Sequence, residues 1–157
     1  MRENRSKFER LSDDQLIRYG KFVLGILNEY EIRHGNLGYF YKTLNESNPA
    51  SKKILGPFGG SMSRLDIEYL YYVLNNNDFE SDTLDRPRLS IGTYDFKMDE
   101  TVYRTVTLTG DVDSYCPEDV DPQYLDGLKD DGVIDPYDWE IRNTQEHDSN
   151  ITDSWFD

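Results

Sequence analysis

Leu89-Ser-Ile-Gly-Thr-Tyr-Asp-Phe-Lys-Met98 and, after Asp99-Glu-Thr101, Val102-Tyr-Arg-Thr-Val-Thr-Leu-Thr109 decide the fold class of this 157-residue chain. In the second run Val102, Arg104, Val106 and Leu108 alternate with Tyr103, Thr105, Thr107 and Thr109. That period of two sends successive side chains to opposite faces of a sheet. In the first run Leu89 and Ile91 hold one phase and Tyr94, Phe96 and Met98 the other, so a bulge is expected at Gly92. Asp99-Glu100 reads as the turn. Together the runs predict an antiparallel hairpin over about 88–115, with Val112 to Tyr115 extending it beyond Gly110.

Working back toward the N-terminus, the period changes. Ser12 and Gln15 match a capping box, Leu11 and Leu16 stand at the positions of a hydrophobic staple, and Leu16, Gly20, Val23, Leu24 and Leu27 share one helical face. A helix over 12–34 follows, stopped at His34-Gly35-Asn36. Leu37 to Leu44 is aromatic and fits either a further helical turn or a packed loop. Pro49 near the start and Gly56 after the end predict a short helix over 49–55. Ser63 caps a helix over 64–75 whose apolar residues run almost all the way round, the mark of a buried or interface helix. Helices packed with a hairpin make the fold class α+β.

Beyond the hairpin, Tyr124 to Leu128 suggests a helical turn and Val133 to Ile141 a short strand. Asn143 to Asp157 shows no period, so residues 142–157 are expected to be mobile. The net charge of −14 divides at this end of the chain. Residues 1–110 hold 16 acids and 15 bases, whereas residues 111–157 hold 15 acids against Lys129 and Arg142 alone. The sequence therefore reads as a near-neutral domain, 1–110, followed by an acidic, aromatic-containing extension, 111–157.

That charge excludes direct nucleic-acid contact through the C-terminal third, because tracking phosphates needs excess Lys and Arg. It also argues against an anionic membrane surface. No apolar run reaches the roughly 18–20 residues that span a bilayer, and the charged start Met1-Arg-Glu-Asn-Arg-Ser-Lys7 lacks an apolar core for a signal peptide. A single cysteine, Cys116, rules out an internal disulfide framework. A cytoplasmic protein is expected, which makes the glycosylation patterns at Asn45 and Asn150 chance matches. Arg2, Arg5, Lys7 and Arg10 form a small basic cluster able to pair with an acidic segment of the same or a neighbouring chain.

Few stretches carry chemistry. Gly56-Pro-Phe-Gly-Gly-Ser-Met-Ser63 precedes a helix but lacks the lysine of a phosphate-binding loop, and reads as a turn leading to an N-cap. His34 stands at a helix end and His147 in the aperiodic terminus, so neither makes a convincing base. Cys116 has no neighbouring cation in sequence to activate a thiolate. Asp111, Asp113, Glu118, Asp119 and Asp121 are hard-oxygen groups of the kind Ca²⁺ takes. Asp111, Asp113 and Asp121 are accordingly the metal candidates; no other cofactor is expected. Asp130 to Asp138 fails as an EF-hand, since aligning Gly132 with the loop glycine puts Gly127 and Lys129 where acids belong.

The acidic segment is interleaved with Tyr115, Tyr124, Tyr137, Trp139, Trp155 and Phe156, which a merely solubilising tail does not need. Acids steer an encounter and aromatics anchor it. The expected function is a non-enzymatic interaction or regulatory protein, of a kind that suits a phage, presenting Asp138, Trp139, Glu140, Asp153, Trp155, Phe156 and Asp157 to a basic protein. One version is a DNA mimic, in which carboxylates imitate phosphates. The alternatives are a component of a larger assembly, homo-oligomers included, and a carboxylate-based metal-binding protein or metal-dependent hydrolase.

Overall fold

A computed structural model describes residues 5–29, 36–45, 62–81, 83–101 and 104–146. The chain groups into two compact units. One comprises Met1–Ser90 with Asp113–Val120, the other Ile91–Val112 with Asp121–Asp157. The first is helical and the second is built on a sheet, so the α+β class holds. No helix among the described residues is long and apolar enough to cross a membrane.

The helical unit begins with a 3₁₀ turn, Lys7–Arg10, followed by α1 (Asp13–Glu29), α2 (Leu37–Asn45) and α3 (Arg64–Asn76). The capping box forms as expected: Gln15 N–H donates to Ser12 Oγ at 3.2 Å and Ser12 N–H to Gln15 Oε1 at 3.0 Å. Leu16, Tyr19, Val23 and Leu27 bury the inward stripe of α1. Residues 30–34 of the expected long helix and the whole of 49–55 lie outside the described residues. The aromatic stretch after Asn36 is a helix, α2, whose Leu37, Phe40, Tyr41 and Leu44 are buried. Ser63 caps α3, which is buried on nearly every side, as its composition predicts.

Two carboxylates are buried along with the apolar residues of α3, and both are satisfied. Asp66 accepts from Ser6 Oγ at 2.7 Å, Lys7 N–H at 2.8 Å and Ser63 N–H at 2.9 Å. Glu68, with no exposed surface, accepts from Arg64 at 2.8 Å and from Tyr115 N–H at 3.0 Å. Tyr115 Oη accepts from Ser6 N–H at 3.1 Å and donates to Glu9. Arg86 binds Asp13 and the Leu11 carbonyl, each at 2.7 Å, and Tyr69 Oη at 3.1 Å. These bonds tie both ends of the unit's chain to α3, and each buried charge has the partners that offset its desolvation.

The sheet unit holds β1 (Ser90–Thr101), β2 (Arg104–Ser114) and β3 (Glu140–Glu146), in the order β1-β2-β3, with α4 (Pro122–Asp130) between β2 and β3 in the chain. The sheet is antiparallel. Phe96 of β1 and Val106, Leu108 and Val112 of β2, all even-numbered, are buried on the inner face. Ile91, Thr93, Asp95, Lys97 and Asp99 of β1 are exposed on the other face.

Four local expectations change. Burial follows a single phase from Ile91 to Met98, so Ile91 faces solvent and no phase slip at Gly92 is needed; Gly92 leaves room for the ring of Tyr94 two residues on. Asp99-Glu100 is strand rather than turn, because β1 continues to Thr101. Val133 to Trp139 is not strand: Gly132, at φ 77°, ends α4, and Pro136–Asp138 forms a 3₁₀ turn. Finally, residues 143–146, expected to lack structure, complete β3.

β3 shows no apolar period because it is an edge strand, exposed from Glu140 to Gln145. Its register runs Thr109↔Glu140, Leu108↔Ile141, Thr107↔Asn143, Val106↔Thr144, Thr105↔Gln145 and Arg104↔Glu146. Arg142 is left as the extra residue of a bulge. Its guanidinium bonds to Asp95 of β1.

Candidate interaction surface

The residues that leave α4 and enter β3 are held by a sequence of local stops. Asp121 caps α4 by accepting from Tyr124 N–H at 2.8 Å, and Pro122 occupies the first turn, where an N–H is dispensable. Tyr124, Leu125 and Leu128 bury the inner face of the helix, and the Lys129 ammonium lies 5.9 Å from the Phe96 ring centroid. At the far end, Val133 N–H donates to the Leu128 carbonyl at 2.9 Å and Gly132 N–H to the Lys129 carbonyl at 3.0 Å. That is the Schellman pattern, and the left-handed backbone at Gly132 is what it requires.

Three residues later Asp135 caps the 3₁₀ turn, accepting from Tyr137 N–H at 3.1 Å, and Pro136 is buried. Trp139 then folds back. A Cβ on Gly110 would run into its indole, and its ring meets Phe96 edge-on at 6.5 Å. Around the anchors Leu128, Pro136 and Trp139, three large apolar side chains stay in water. Tyr137 is 75% exposed, Ile141 62% and Val133 41%. Asp130, Asp131, Asp135, Asp138 and Glu140 are exposed among them, and residues 130–141 contain no Lys or Arg.

Of the expected partner-binding residues, Asp138 and Glu140 lie on this surface and Trp139 is half-buried beneath it. Asp153, Trp155, Phe156 and Asp157 lie outside the described residues, as do Arg2, His34, His147 and Gly56 to Ser61. The aromatic that faces out is Tyr137. Its signal was present in Asp135-Pro-Tyr-Asp138: an acid-proline turn is a surface feature, so an aromatic inside it has no core to enter.

The metal candidates are not brought together. Asp111 accepts from Thr93 Oγ1 at 2.7 Å across the hairpin, Asp121 serves as a helix cap, and the Asp113 carbonyl accepts from Arg64 at 2.8 Å. Among the described residues no three His, Cys, Asp or Glu side chains converge as ligands. Cys116 is buried, its Sγ donates to the Glu68 carbonyl at 3.4 Å, and burial foremost, with Glu68 next, pushes its thiol well above the ordinary range. Such a thiol is a poor nucleophile. In the basic cluster, Arg5 pairs with Glu9 at 3.3 Å and Lys7 stands 5.9 Å from the Phe8 ring centroid.

No family model matches the chain, and no curated protein or solved structure matches it either.

Proposed function

We propose that this chain is a non-enzymatic interaction protein whose acidic sheet unit docks on a basic protein partner. One observation carries the reading: Val133, Tyr137 and Ile141 stand exposed within a twelve-residue stretch that also exposes five carboxylates and contains no base. Removing such apolar side chains from water supplies affinity, at about 25 cal/mol per Å² before the costs of association. The carboxylates raise the encounter rate with a cationic surface and disfavour anionic ones. The caps at Asp121, Asp135 and Gly132 fix the surface in advance, which lowers the ordering cost of binding.

The test is affinity capture on the full-length chain beside a variant carrying Tyr137→Ser, Asp135→Lys and Asp138→Lys. A basic protein retained by the former should bind the variant at least about tenfold more weakly, with an affinity that falls as salt rises. Equal capture by both chains would falsify the assignment of the surface. A DNA-mimic version adds one requirement: the captured protein binds duplex DNA, and this chain competes with it.

A further inference from the structure

Ile141 carries a contradiction that points to a ligand. Its register partner is Leu108, and directly paired residues of an antiparallel sheet share a face. Leu108 is 4% exposed whereas Ile141 is 62% exposed. The difference is position. Leu108 has a strand on either side, whereas Ile141 has β2 on one side and, among the described residues, no strand on the other. The next strand outward is what would cover it.

Native sheets guard such edges with proline, lysine or bulges that break the pairing. Residues 140–146 contain no proline and no lysine. The one bulge places Arg142 in its pair with Asp95. Every side chain from Glu140 to Gln145 is exposed. Among the described residues no strand pairs with the outer side of β3, so the edge is open to backbone pairing, and its approach is set by the exposed carboxylates of Asp135, Asp138 and Glu140. A second copy of the chain would bring the same acids to the same edge, and like charges placed opposite each other oppose pairing. Residues 147–157 add three acids and no Lys or Arg, so their charge does not complement the edge.

We infer that the outer edge of β3 is a strand-addition site, at which an extended basic segment of a partner protein pairs with Glu140–Glu146, covers Ile141 with an apolar side chain and meets Asp138 and Glu140 with Lys or Arg. This rests on the proposed docking function and specifies its mode. Main-chain bonds supply affinity in such complexes, and alternate side chains supply the choice of partner.

The probe is an octapeptide of alternating lysine and valine, compared with the same peptide methylated at every backbone nitrogen, each titrated into the isotope-labelled full-length chain. Both carry equal charge, but only the first can donate to a sheet edge. The unmethylated peptide should bind about tenfold more tightly and slow amide exchange along 140–146. Ile141→Lys, a substitution at an exposed site, should abolish that preference without lowering the melting temperature. Equal binding of the two peptides, with shifts confined to residues 130–140, overturns strand addition and leaves the acidic docking surface standing. Binding of neither peptide overturns both. Slow exchange of the outward-pointing β3 amides before any peptide is added overturns the inference as well, because the edge is then already occupied.

Discussion

The two units place their polar groups in opposite ways. The helical unit keeps carboxylates inside: Asp66 and Glu68 are buried and receive five hydrogen bonds between them from Ser6, Lys7, Ser63, Arg64 and Tyr115. Its sequence carries 16 acids and 13 bases, close to balance. The sheet unit carries 15 acids and 4 bases, and its acids from Asp126 to Glu140 are exposed. A carboxylate that is buried and saturated with donors fixes a fold; one left in water is available to a partner. Charge is thus taken up in packing at Asp66 and Glu68 of one unit, and it stays at the surface from Asp126 to Glu140 of the other, where the proposed docking would use it.

The largest expected effect comes from alkali and should fall on the helical unit. Burial raises the phenols of Tyr19, Tyr69, Tyr72 and Tyr115, and pushes Tyr71 up to about 12. In the unfolded chain these groups release their protons near pH 10, whereas in the native unit they retain them. The unfolded state then binds fewer protons, so stability falls as pH rises through 10 toward 12. Helical circular dichroism followed from pH 8 to 12 should show this loss. A signal that is flat to pH 12 would mean that the tyrosines are not buried as described.

Next in size is Glu68→Leu. It leaves Arg64 without its carboxylate and Tyr115 N–H without its acceptor in a closed interior, and should cost about 3–5 kcal/mol by urea unfolding. The counterpart in the sheet unit is Gly110→Ala. Its methyl would enter the Trp139 ring, at a cost of about 1–3 kcal/mol. In a Trp155→Phe background the emission of Trp139 should shift to the red as the ring is displaced. If Glu68→Leu cost no more than an exposed acid, the contrast between the units would collapse.

How far the sequence speaks differs between the units in the same way. The helix that begins at Ser12, the all-round apolar helix after Ser63 and the Thr-rich alternation of β2 are legible because each buries a face, and burial imposes a period. β3 is not legible, because an exposed edge strand has no face to bury and so no pattern to read. The acidic neighbours of Trp139 suggest a binding anchor, yet its packing partner is Gly110, 29 positions earlier, and no local pattern carries that contact. Tyr137 is legible only through its turn, Asp135-Pro-Tyr-Asp138, and the burial of Pro136 beside it fixes the outward direction.

The smallest effect is expected where two exposed charges meet. Arg142 and Asp95 pair across the outer face of the sheet, from one edge strand to the other, with side chains 63% and 40% exposed. Water screens such a pair, and holding two flexible side chains together costs entropy, so the net contribution is about 0.2–1 kcal/mol. Arg142→Ala should therefore lower stability by less than about 1 kcal/mol, and the loss should shrink further as salt is raised. The informative readout is binding. Arg142 is the only base in β3, so its removal makes the edge more acidic, and affinity for a lysine-bearing strand should rise slightly while stability falls slightly. Opposite signs at one residue would separate charge that recognises from charge that packs. A drop in both would show that the bulge at Arg142 is needed to keep the edge in shape for pairing.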